Sequence, residues 1–224
     1  MNTKISSAPA KSASHSAVPP PAALPVGAPA GEAAIRLPAR ERLLAAAHEL
    51  FYEHGVQSVG IEKVIERAGV AKASLYGNFR NKDDLVRAYL AARHESRQAR
   101  IHAKMSKHAK PRDKLLAVFD LMEEMFREPG YRGCAFVRAS AEMPADSSGR
   151  EVCDAVRQWT RDLFAGLAKE AGAVKPDQLA HQLQLLYDGA MVSAQMDHDP
   201  RAAGAARAVA AQMLDAACAK PKRR

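Results

Sequence analysis

Cysteine is scarce in this chain: Cys134, Cys153 and Cys218 are its only thiols, and none stands in a CxxC pair. That is too few for a disulfide framework, so a reduced, cytoplasmic compartment is the expectation. No apolar run approaches the roughly 20 residues needed to span a bilayer. The N-terminal stretch also lacks a continuous apolar signal-peptide core, and no membrane partner is expected. The motifs HExxH, GxxxxGK[ST], GxSxG and GxGxxG do not occur, which removes the usual warrants for metallohydrolase, nucleotide-binding and serine-hydrolase chemistry. The 8 histidines are scattered without metal-ligand spacing. Asp197-His198-Asp199 could in principle hold a metal, but it falls at a turn between helical segments, where such residues serve as caps. No catalytic residue, metal or cofactor is expected.

What is present is helical periodicity and an uneven charge. A chain of 224 residues with 47% hydrophobic content can bury a substantial core and suits two domains. The net charge of +8 is unevenly spread: residues 36–110 are basic, residues 111–219 are acidic, and the final KPKRR (220–224) is a short basic tail. The asymmetry favours a polyanion partner for the N-terminal half alone. Residues 1–35, rich in Ala, Pro and Ser, read as a disordered tail whose Lys4 and Lys11 could touch DNA backbone or stay solvated, as most such tails do.

The chain is organised around Ile61–Phe79, IEKVIERAGVAKASLYGNF. Ile61, Val64, Ile65 and Ala68 share one face of a short helix, Gly69 can end it in the left-handed conformation, and a second helix follows from about Lys72. This second helix buries Leu75 and Phe79 at i and i+4 and leaves Lys72, Ser74, Tyr76, Gly77 and Asn78 outward. Small, hydroxylated, amide and cationic side chains on one face suit a DNA groove. Before this unit, about Pro38 to Glu53 should form a helix with Leu43, Ala47, Leu50 and Phe51 as its buried stripe, and after it a long helix opens at Asn81, with Asp83 and Asp84 in its first turn.

With Leu50-Phe51-Tyr52-Glu53-His54-Gly55, Ala68-Gly69-Val70, Leu75-Tyr76, Phe79 and Lys82…Leu85 in this order and spacing, residues 40–90 resemble the DNA-binding domain of TetR-family transcriptional regulators. The resemblance implies an all-α fold, with an N-terminal three-helix helix-turn-helix domain followed by a helical effector-binding and dimerisation domain. The expected division is a tail at 1–35, a DNA-binding domain at 36–90 that includes the start of the linking helix, and a ligand-binding and dimerisation domain at 91–219. Lys72, Tyr76 and Lys82 are assigned to phosphates, while Ala73, Ser74, Gly77 and Asn78 are candidates for base edges and thymine methyls. Arg36 and Arg40 could reach a phosphate or remain solvated. Three departures from the family pattern stand out. Gly60 and Ala71 occupy positions where many members place a hydroxyl that caps a helix, and Asn78 stands where His is frequent.

Beyond the long helix, amphipathic segments are expected from about Asp113 to Phe126, Gly133 to Met143, Ser148 to Ala171, Pro176 to Met196, and through the alanine-rich end. Ser148-x-x-Glu151 reads as a capping box, with Val152, Val156, Trp159, Leu163 and Leu167 facing inward. These faces are core by default. Under the resemblance, Phe119, Met122, Phe126, Cys134 and Phe136 become candidates to line an effector pocket, together with Val137, Trp159, Leu163, Tyr187 and Met191. Leu179, Leu183, Leu186, Ala190 and Ala194, with Ala206, Val209 and Met213 of the last segment, are the candidate dimer contacts. The expected function is a dimeric regulator, a repressor released from a pseudo-palindromic operator by a small, largely apolar effector. The alternative is a helical ligand-binding or redox sensor without operator binding, in which Cys134 would need an exposed, low-pKa thiol.

Overall fold

The structure is a computed structural model that describes residues 37–218; the expectations for the tail at 1–35, Lys4, Lys11, Arg36 and the run 220–224 lie outside the described residues. Nine α-helices make up the described fold: α1 Ala39–His54, α2 Ile61–Ala68, α3 Lys72–Asn78, α4 Lys82–Met105, α5 Pro111–Phe126, α6 Ala135–Glu142, α7 Ser148–Glu170, α8 Pro176–Met196 and α9 Ala202–Cys218. Helix boundaries follow local chemistry. Asn81 caps α4 by accepting a 2.8 Å bond from the Asp84 N–H. Pro111 and Pro176 open α5 and α8, where a missing N–H costs nothing. α5 therefore begins at Pro111 rather than near Asp113.

Two apolar cores lie along the chain. The first joins Leu43, Leu50 and Phe51 of α1, Val64 of α2, Leu75, Phe79, and Leu85, Val86, Tyr89 and Leu90 of α4. It continues into Phe136 and Ala139 of α6, Met143, and Cys153 and Val156 of α7. The second core gathers Ile101, most of α5, the later half of α7, and the inner faces of α8 and α9. The division expected after residue 90 is thus not a break in packing. α6 and the first turns of α7 belong to the core beneath the helix-turn-helix, because α2 and α3 are too short to bury the rear of α1 and α4 alone.

α7 corrects two further expectations. Its cap is Ser147, whose hydroxyl oxygen accepts from the Arg150 N–H at 3.3 Å. Ser148 instead donates its hydroxyl to Asp83 of α4 at 2.6 Å, and its N–H to the same carboxylate oxygen at 3.2 Å. The buried stripe is Cys153, Val156, Thr160, Phe164 and Leu167, leaving Val152, Trp159 and Leu163 half-buried. The polar Thr160 disguised the stripe, since its hydroxyl is satisfied locally by donating to the Val156 carbonyl at 2.9 Å.

A latch joins α1 to the loop before α6. The Tyr52 hydroxyl donates to the Gly133 carbonyl at 3.1 Å and accepts from the Arg132 N–H at 2.9 Å, while Arg138 donates to the Tyr52 carbonyl at 2.7 Å. The Tyr131 hydroxyl, in turn, donates to the Met191 carbonyl of α8 at 3.3 Å. Gly133 has φ +84°, a backbone conformation that favours glycine, and a Cβ there would also displace the end of the Gln195 side chain.

Candidate nucleic-acid interface

The reversal between α2 and α3 rests on Gly69 in the left-handed region (φ 61°, ψ 43°), with its N–H bonded to the Glu66 carbonyl at 3.1 Å. Arg42 of α1 reaches across and donates to the carbonyls of Ala68 and Gly69 at 3.1 and 2.7 Å. These acceptors are the orphan carbonyls at the C-terminus of α2, where a cation is also favoured by the helix dipole. Arg42 escapes sequence reading because its partner lies in another helix.

α3 is held by one fully buried residue within its span, Leu75, and by Phe79 just past its end. Lys72, Ala73, Tyr76, Gly77 and Asn78 are exposed and Ser74 is half-buried, so the residues assigned to DNA lie mainly on the free side of the helix. Tyr76 is 50% exposed, against the core-filling role an aromatic residue would otherwise take. Asn78 donates its amide to the Ser74 carbonyl at 2.7 Å, which closes the last turn and leaves its carbonyl oxygen outward-capable as an acceptor.

The cations differ in how freely they are held. Lys72 pairs with Glu62 at 3.0 Å between two exposed side chains, and this bond raises the Lys72 pKa while holding Glu62 below its ordinary value. Such a pair is screened and weak, so a phosphate competes for the ammonium. Lys82 donates to the Gln57 carbonyl at 3.2 Å; burial lowers its pKa, and the neighbouring Glu142 opposes the shift. Arg40 is exposed, with its guanidinium 5.5 Å from the Phe79 ring centroid. Arg80, not singled out from sequence, is 88% exposed immediately after α3 and only grazes Asp84 at 4.0 Å.

Neither α2 nor α3 has a side-chain cap: Gly60 and Ala71 take extended conformations with no such bond. An Ala71→Ser variant should therefore gain about 0.5–2 kcal/mol of stability by capping α3. Urea unfolding reads the gain, and an unchanged or lower midpoint would mean that the N-terminal N–H groups of α3 are already satisfied.

The residues assigned to an effector are divided between the two cores. Phe119, Met122, Phe126, Tyr187 and Met191 are buried in the second core, where Phe119 stacks on Phe164 at 6.0 Å between centroids. Phe136 belongs to the first core, Cys134 is half-buried against both, and Val137 is 46% exposed and faces away from them. Leu163 lines a surface cleft of about 480 Å³ with His102, Met105 and Lys114. Trp159 stands beside His94, 5.3 Å between ring centroids, and near Arg97.

Among the dimer candidates, Leu179, Leu183, Ala190, Ala194 and Ala206 are buried in the subunit's own core, and Leu186 and Met213 are half-buried. α8 is apolar on more than one side, and its densest stripe is used internally. The outward stripe is carried instead by Leu185, Val192 and Met196 (55%, 45% and 74% exposed) with Val209 of α9 at 43%. A groove of about 710 Å³ runs between the two helices along Leu185, Leu186, Gly189, Ala205 and Val209.

A short exposed helix behind a glycine turn, braced by a longer helix, defines a helix-turn-helix DNA-binding protein. The family described as bacterial regulatory proteins, tetR family, matches residues 43–89. The transcriptional regulator AcuR of Cereibacter sphaeroides is 30% identical over 174 residues, which is 72% of this chain and 78% of that protein. A TetR-family transcriptional regulator of Streptomyces coelicolor superposes with a TM-score of 0.75 at 33% identity, over 81% of this chain and 96% of the other. The reduced form of NemR from E. coli superposes at 0.70 with 25% identity, over 83% of this chain and 99% of that one. The chain belongs to the TetR family of transcriptional regulators and is not an enzyme. No described helix is long and apolar enough to cross a membrane.

Proposed function

We propose that the protein is a homodimeric, ligand-released repressor whose two α3 helices enter successive major grooves of a pseudo-palindromic operator. The observation that carries this reading is the division of α3: Leu75 is fully buried while Ala73, Tyr76, Gly77 and Asn78 stand outward. Half-sites about one helical turn apart would suit such a pair. The outward stripe of Leu185, Val192, Met196 and Val209 supports α8 and α9 as the surface that meets a second copy. A small, largely apolar effector binding among α4 to α8 would favour a head spacing that the operator does not accept, and release follows from its differential affinity for the two states.

The test is a gel-shift titration with the DNA upstream of the protein's own gene. Tyr76→Phe and Lys82→Ala should weaken binding to every operator variant alike, and Lys82→Ala should reduce the salt slope by about 1. Unchanged affinity in both variants would remove the phosphate assignment, and no shift by the parent protein would remove operator binding.

A further inference from the structure

Arg97 lies midway along α4 in surroundings that give its charge no anion. Its guanidinium carbon is 5.6 Å from the Phe136 ring centroid, 5.9 Å from that of Trp159 and 5.6 Å from that of Tyr187, so α6, α7 and α8 each set a ring against it. One Nη donates to the Thr160 hydroxyl, which is itself committed to the Val156 carbonyl. Nε is buried and has no hydrogen-bond partner, and among the described residues no carboxylate pairs with this side chain. His94, three residues earlier on the same face, is in the same condition. Its ring stands edge-on to Trp159 and Phe136, and its Nδ1 is buried and unpartnered. Burial, and secondarily Arg97, hold the imidazole below its ordinary pKa.

Buried arginines are normally paired, because removing a charge from water is costly unless an anion or hydrogen bonds replace the solvent. Aromatic faces attract the cation from above but offer nothing to the N–H groups in its plane. What a planar fork with unfilled in-plane donors fits best is a carboxylate. As residues Arg97 and His94 are half-buried, while Arg97 Nε and His94 Nδ1 themselves are covered, so a ligand reaches these two atoms only as the surrounding rings shift.

We propose that this aromatic box is the effector site and that its ligand is a small monocarboxylate, its charged end on Arg97 beside His94 and its apolar body against Phe136, Trp159 and Tyr187. The proposal rests on the regulator reading and gives its largely apolar effector one negative charge. Carboxylate binding would draw Arg97 from Thr160, and so alter the contact between α4 and α7.

Trp159 is the only tryptophan, so its emission reports on the site. The full chain is titrated with propionate, butyrate and benzoate, and with the corresponding amides, at fixed pH and ionic strength. At least one acid should give a saturable change with a Kd of about 1 mM or tighter, and its amide should bind at least about tenfold more weakly. Arg97→Gln should weaken the acid about tenfold or more and leave the amide unaffected; Arg97→Lys, which keeps the charge without the fork, should fall between and serves if the glutamine variant does not fold. Amides binding as tightly as acids, acids binding Arg97→Gln like the parent, or no saturable response to any acid would overturn the proposal. The gel shift is run on the same preparations. Acids that bind a chain without operator affinity would uphold the site and refute the regulator reading, and operator binding by a chain that no acid occupies would do the reverse.

Discussion

Leu75→Ala should lower the unfolding free energy by about 2–5 kcal/mol and abolish operator binding together. Leu75 is 0% exposed, and it is the only buried residue within Lys72–Asn78. A helix of 7 residues with no side-chain cap has no independent stability, so its orientation depends on this side chain and on Phe79, which is 3% exposed. Truncation leaves a cavity between α3, α1 and α2 and frees the outward residues to reorient. The stability change is read by urea unfolding and the functional change by gel shift. A loss below about 1 kcal/mol with operator affinity intact would show that α3 is oriented by something other than its buried anchor.

The legible part of this site was legible for a physical reason. Gly69, Leu75 and Phe79 act through local geometry, a left-handed turn and an i, i+4 pair, and local geometry is written in adjacent residues. Arg42 was not found because the carbonyls it serves belong to another helix, and the same holds for Asp83, which appeared as a dipole-favoured acid but is bonded to Ser148 some 65 residues away. Five of the eight dimer candidates lie in the subunit's own core for a different reason. On α8, apolar side chains occupy both the inward stripe and the outward one, and periodicity alone cannot say which faces a neighbour. The effector assignment drew on residues of both cores, three of which, Phe136, Trp159 and Tyr187, surround Arg97; periodicity could not mark Arg97 and His94, whose meaning depends on what does not bond to them.

Phe119→Ala should cost about 3–5 kcal/mol, since the ring is 0% exposed and packs on Phe164 and Tyr187 at 6.0 and 6.3 Å between centroids. The more informative result is the shape of the transition. α4 and α7 each contribute to both cores: Leu85, Val86, Tyr89, Leu90, Cys153 and Val156 to the first, and Ile101, Phe164 and Leu167 to the second. The loss is therefore expected throughout the described fold, and unfolding followed by helical circular dichroism and by Trp159 emission should coincide in a single shifted transition. A surviving transition at the parent midpoint, with the Trp159 signal already lost, would show that the DNA-binding core stands on its own.

The loop at Tyr131–Gly133 has a mechanical implication for signalling. Its first residue is tied to the Met191 carbonyl and the next two to the Tyr52 hydroxyl, so a three-residue tether couples α8 to the tail end of α1. α4 is thus not the sole conduit between the two cores. A shift in α8 would then pull on the end of α1 through these hydrogen bonds as well as through α4.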